Sequence, residues 1–144
     1  PTFYFHQSYY PYRFGAVLLE PVLKALSGDR TGLTIAWRSI EKNHKFVFGQ
    51  LLWHEAGYLA GELDEEEFRG QPYGRGVAER LKFYKAIRDD IAGNAEAAAA
   101  GYSHCRQLPA YLKIPEPHDI FTSETVRAFL EWRLKVLRGE AMAG

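Results

Sequence analysis

The chain has 144 residues, 47% of them apolar and 25% charged, the proportions of one ordinary globular domain. Lys and Arg together equal Asp and Glu at 18 each, and that neutrality argues against a general affinity for nucleic acid or anionic membrane. The one cysteine, Cys105, excludes an internal disulfide and any multi-cysteine metal site, so a reducing, cytoplasmic setting is expected.

Aromatic residues are the outlier, at 15%, and they crowd the start of the chain. "FYFHQSYYPYRF", Phe3 to Phe14, carries seven rings in twelve residues around Pro11 and shows no helical period. An extended arm over residues 1–14 is the expectation, followed by a helical domain over 15–144. No basic segment followed by an apolar one marks a leader, and no apolar stretch matches the length of a membrane helix.

"GAVLLEPVLKAL", Gly15 to Leu26, reads as the first helix, with Pro21 either kinking it or marking the first turn of a shorter one. "SGDRTG", residues 27–32, is a loop by composition. The longest periodic segment then runs from about Ile35 to Leu63. A 100° step from Trp37 gathers Ile40, His44, Phe48, Leu51, Tyr58 and Leu59 on one stripe. The acidic run Asp64 to Glu67 and "RGQPYGRG" close it. A third helix is expected from about Arg75 to Ala100, with Val77, Leu81, Tyr84, Ile87, Ile91 and Ala95 on one face. Its alanine-rich end suits close approach of a neighbouring backbone, and Gly101 is placed as its C-terminal cap. Prolines punctuate residues 108–121, and a last helix starts near Ser123 and ends near Leu137. The fold expected is therefore mainly α, a four-helix bundle-like single domain behind an aromatic N-terminal arm.

Polar residues on apolar faces are the first functional signal. His44 and Glu55 project from the stripe of the long helix, and Arg88 and Arg133 lie on the apolar faces of the third and last helices. A buried charge is costly unless paired, so interhelical pairs such as Glu55 with Arg88 or Arg133 are expected. These four residues would alternatively line a polar pocket for a small ligand. The second signal is the opposite face of the long helix, where Phe46 and Trp53 are nearly aligned. A helix that is apolar all round is covered on both sides, here by the aromatic arm or by another protein.

Motifs for chemistry are sparse. "EKNH", Glu41 to His44, is a single Glu-x-x-His, whereas a bridged di-metal site needs two copies and two further glutamates. "WHEAG" has Tyr58 where a zincin needs its second histidine. Cys105 beside His104 reads as a packed thiol rather than a nucleophile and its base. "RSIEKNH", Arg38 to His44, resembles the Arg-x4–6-His motif of HEPN domains, helical bundles that are often RNA-cleaving or nucleotide-binding. In that family the Arg and His flank the scissile phosphate at a dimer interface, and a polar residue often follows the Arg, as Ser39 does. The resemblance covers these seven residues. On one continuous helix, Arg38 would point about 120° away from His44.

The leading expectation is a non-enzymatic subunit or adaptor that binds a protein partner, or its own copy, through Phe3, Tyr4, Phe5, Tyr9, Tyr10, Tyr12, Phe46 and Trp53. No catalytic residue, metal or cofactor is assigned, and neither membrane nor nucleic acid is expected as a partner. A small-ligand-binding bundle using His44, Glu55, Arg88 and Arg133 is the first alternative. A HEPN-like ribonuclease is the second.

Overall fold

The computed structural model describes residues 14–42, 47–71, 76–108 and 124–139. These form a π-helical turn, Phe14–Leu18, and seven α-helices, with no strand among the described residues. The helices are α1 (Leu19–Leu26), α2 (Thr31–Arg38), α3 (Val47–Leu59), α4 (Glu65–Arg69), α5 (Val77–Ile91), α6 (Ala95–Arg106) and α7 (Glu124–Leu137). The chain is mainly helical, and no described helix is long and apolar enough to cross a membrane.

Pro21 acts within the first turn of α1. It has no N–H to donate up the helical ladder, and the wide π turn lies just ahead of it. That turn buries Phe14 and Leu18 completely. Phe14, the last ring of the aromatic segment, stands edge-on to Phe83 at 5.3 Å and to Phe129 at 5.2 Å. The loop that follows ends in an Asx turn, in which Asp29 accepts from both the N–H and the hydroxyl of Thr31.

Two helices expected as continuous are each divided. The segment from Ile35 to Leu63 is α2 followed by α3, and the segment from Arg75 to Ala100 is α5 followed by α6. Gly93, at φ +86°, makes the second break in a left-handed conformation that L side chains resist. Gly101 is not a cap but lies inside α6. A Cβ there would meet the Cβ of Ala86 at 2.7 Å, so the missing side chain lets α6 lie close on α5. The alanine-rich stretch thus serves the close packing expected of it, with Ala98 fully buried as well.

The acidic run opens a helix rather than closing one. Asp64 accepts from the Glu67 N–H at 2.8 Å, and Glu67 accepts from the Asp64 N–H at 3.2 Å. This capping box starts α4, whose one buried side chain, Phe68, joins the core. From there a run of ring contacts crosses the molecule: Tyr58 to Phe68, Phe68 to Tyr84, Tyr84 to Phe83, Phe83 to Phe129, and Phe129 to Tyr102. Each such pair adds about 0.5–1.5 kcal/mol beyond the area it buries.

The close contact at Gly101 generates a prediction. Gly101→Ala would gain helix propensity of up to about 1 kcal/mol on an exposed site. Here the new methyl group meets Ala86, and overpacking of this kind costs about 1–3 kcal/mol. Chemical denaturation should therefore show Gly101→Ala to be less stable than the parent, with no change in m-value. A stabilised variant would mean that α5 and α6 do not approach so closely.

Candidate functional site

Two acids are buried in the core, and each is met by groups from another helix. Glu55 of α3 is fully buried, and the Tyr84 hydroxyl of α5 donates a hydrogen bond to its Oε2. Arg80, one turn earlier on α5 and 2% exposed, places Nη1 3.9 Å from Glu55 Oε1. Asp90, in the last turn of α5, is 8% exposed. Arg133 of α7 grips it through two bonds, Nε to Oδ2 and Nη2 to Oδ1, each 2.7 Å. The Tyr102 hydroxyl of α6 donates to Oδ2 at 2.9 Å. One carboxylate thereby joins α5, α6 and α7.

The expected burial of Glu55 and the interhelical pairing of Arg133 are present, but the partners differ. Arg80 and Tyr84 face Glu55 because they are one turn apart on the side of α5 that meets α3. Arg88 lies a further turn along, about 6 Å beyond Tyr84. There it covers the Tyr58 ring, with Cζ 4.5 Å from the ring centroid. Arg133 belongs to Asp90, so the two residues do not share a pocket with Glu55. His44 lies outside the described residues. Phe3, Tyr4, Phe5, Tyr9, Tyr10, Tyr12 and Phe46 also lie outside them.

Sequence reasoning missed Arg80, Tyr84 as a donor, and Asp90. The buried face of α5 runs through Arg80, Phe83, Tyr84, Ile87 and Asp90. At about 100° per residue Arg80 falls on the inferred stripe, between Ile87 and Ile91, whereas Asp90 lies about 120° from the centre of that stripe. Asp90 did carry a signal, since an acid in the last turn opposes the helix dipole and calls for a cation.

Two further titratable groups in the core, Tyr102 and Cys105, are held neutral. Burial, and then the charge of Asp90, push the Tyr102 hydroxyl well above its ordinary value, so it serves as a donor. Burial pushes the Cys105 thiol up to about 12, only partly offset by the charge of Lys82. A protonated, buried thiol is a poor nucleophile, as its reading as a packed residue requires. Its neighbour His104 turns outward, with Nε2 3.4 Å from Lys82 Nζ. No cluster of three metal-ligating side chains exists among the described residues.

No protein-family profile, curated protein sequence or solved structure matches the chain. Function must be argued from its own residues. For the HEPN-like motif, α2 ends at Arg38, so Arg38 and His44 are not on one continuous helix.

The Trp53 surface differs from its expectation in an informative way. Because α2 and α3 are separate helices, Trp37 does not lie opposite Trp53. The two rings face each other at 5.8 Å, with the His54 ring 5.0 Å from Trp53 and Lys42 Nζ 5.3 Å over the Trp53 ring. Both tryptophans are half-buried. Gly57 makes room for this arrangement, since a Cβ there would fall 2.6 Å from Trp37 Nε1. Among the described residues, that buried indole N–H has no hydrogen-bond partner.

Two predictions concern the buried groups. Asp90→Asn removes the charge that Arg133 faces, and breaking a buried pair by removing one partner costs about 3–5 kcal/mol. The melting temperature should fall by roughly 10–17 °C. Glu20→Gln, which breaks the exposed pair with Lys24, should change stability by less than about 0.5 kcal/mol. A similar small effect for Asp90→Asn would show that the carboxylate is not bridging the helices.

The second follows from the thiol. Cys105 releases its proton near 9.0 when unperturbed and near 12 when folded, so between those values the unfolded chain binds fewer protons. The stability contributed by the neutral thiol is therefore complete below about pH 9 and is lost towards pH 12. Unfolding measured from pH 8 to pH 11 should give a falling stability whose slope is shallower in Cys105→Ala. Equal slopes in the two proteins would show that the thiol is not insulated from water.

Proposed function

We propose that the protein is a non-enzymatic helical subunit or adaptor, a bundle-like scaffold that binds a protein partner through an aromatic surface centred on Trp53. The observation that carries this reading is the pair of half-buried tryptophans, Trp37 and Trp53, rimmed by His54 and the cationic Lys42. Tryptophan at the centre of a patch with charge at its edge is the composition of binding hot spots. The buried acids support the reading indirectly. Glu55 and Asp90 are engaged by Tyr84, Arg80, Tyr102 and Arg133, so their chemistry is that of fold stabilisation. In this proposal the aromatic residues Phe3, Tyr4, Phe5, Tyr9, Tyr10 and Tyr12 and the ring of Phe46 extend the docking surface. The partner is another protein or a second copy of this chain.

Two measurements on the full chain test it. Sedimentation velocity should show an assembly that Trp53→Ala converts to a folded monomer, if the partner is a second copy. If the partner is another protein, Trp53→p-benzoylphenylalanine should form one discrete protein adduct on irradiation in cells. The same photo-cross-linker at the exposed Glu20 of α1 should not form it. A monomer that gives no position-specific adduct at Trp53 overturns the proposal.

A further inference from the structure

A cleft of about 170 Å³ opens where the start of α2 meets the ends of α3 and α5. Arg30 and Arg88 both line it, with Thr34 on one wall and Leu33, Leu59 and Ile91 supplying apolar surface. No acid lines the cleft, and no ion pair links either arginine to a carboxylate among the described residues. The nearest acid in sequence to Arg30, Asp29, is already engaged by Thr31 through its N–H and its hydroxyl. Elsewhere among the described residues, Arg80, Arg106 and Arg133 each have a carboxylate, whereas the exposed Arg38, Arg69, Arg127 and Arg138 have no ion pair. What sets Arg30 and Arg88 apart is that they share one cleft.

The two guanidinium groups are held in place without being used up. Arg30 reaches across from the start of α2 to the Ile91 carbonyl, Nη2 to O, at a long 3.4 Å. Arg88 lies on the Tyr58 ring, with Cζ 4.5 Å from the ring centroid, and that contact brings no carboxylate to its guanidinium. A guanidinium offers five donors in a planar fork matched to carboxylate and phosphate. Two forks from different helices, facing one cleft with no internal counter-charge, form a receptor for an oxyanion. The volume sets the size of the guest. Pockets for drug-sized molecules run to roughly 300–1,000 Å³, so this cleft admits an oxyanion with a small apolar body and excludes a nucleotide or larger cofactor.

We propose that the Arg30–Arg88 cleft binds a small oxyanion, the phosphate or carboxylate group of a small molecule, with both guanidinium groups as its ligands. The inference is independent of the Trp53 surface. It is tested with the full chain by following amide signals of Thr34, Gly61 and Ala92 during titration with inorganic phosphate and, separately, acetate. Sodium chloride at matched ionic strength is the reference. Phosphate, acetate or both should produce saturable shifts, and which of them does so names the preferred group. Arg30→Gln removes an exposed charge, while Arg88→Lys keeps the charge over Tyr58 but loses the fork. Each should weaken binding by about tenfold or more, the loss of a charge-assisted hydrogen bond. Shifts that grow linearly and match those from chloride overturn the proposal. So does saturable binding that neither variant weakens.

Discussion

The contact between α5 and α6 is the constraint on which the rest of the structure depends. Gly93 reverses the chain between them, and Gly101 lets the second helix lie against Ala86 of the first. Tyr102, the next residue after that point of closest approach, is thereby brought within hydrogen-bonding distance of Asp90. Arg133 then completes the set from α7, so a single carboxylate fixes the relative positions of three helices. Apolar packing alone tolerates sliding, because it is non-directional. The two-pronged arginine contact has a required direction and distance, and it selects one register for α7.

The aromatic surplus is divided between the interior and the surface according to side-chain chemistry. Phenylalanines Phe14, Phe68, Phe83 and Phe129 have nothing to satisfy and are fully buried. Tyr84 and Tyr102 are buried to the same degree, but each hydroxyl finds an acid, so the tyrosines and the buried carboxylates account for one another. The three tryptophans, Trp37, Trp53 and Trp132, are all half-buried. Composition alone could not separate these uses. A ring counted in the sequence is as much a reason to expect a core as to expect an interface, and only placement distinguishes them.

Helical character was legible because the apolar period holds through α3, α5 and α7. The burial of Glu55 was legible too, since Leu51, Glu55, Tyr58 and Leu59 share one face of α3 and all are buried. Breaks within the periodic segments were not. Two short helices in succession keep an apolar residue every three or four positions, and the period does not record that the chain has turned between them. The signals that do mark boundaries are local and chemical: Gly93 and Asn94 at the break before α6, and, beyond the first segment, the reciprocal Asp64 and Glu67 that open α4. The choice among charges on one face was not legible either. Arg80 and Arg88 both fall on the apolar stripe of α5 at about 100° per residue, and the stripe does not say which of them meets Glu55. Asp90 lies about 120° from the centre of that stripe.

The placement of the arginines ranks what each can still do. Arg80 and Arg133 meet carboxylates in the interior, and their charges are already committed to the fold. Arg88 and Arg30 stand at the margin, one on a ring and the other on a carbonyl oxygen, and neither contact neutralises a charge. Among these four, only the marginal pair retains electrostatic attraction for something outside the chain. The short helix α2 links this cleft to the tryptophan surface, with Arg30 immediately before its first residue and Trp37 in its last turn. Its one fully buried side chain is Leu33, so less holds it in place than holds α5 or α7. An element with few buried contacts is among the first to open locally. If both surfaces bind, they bind through the same lightly anchored helix. Fixing one end of α2 then lowers the ordering cost at the other, and that coupling is reciprocal.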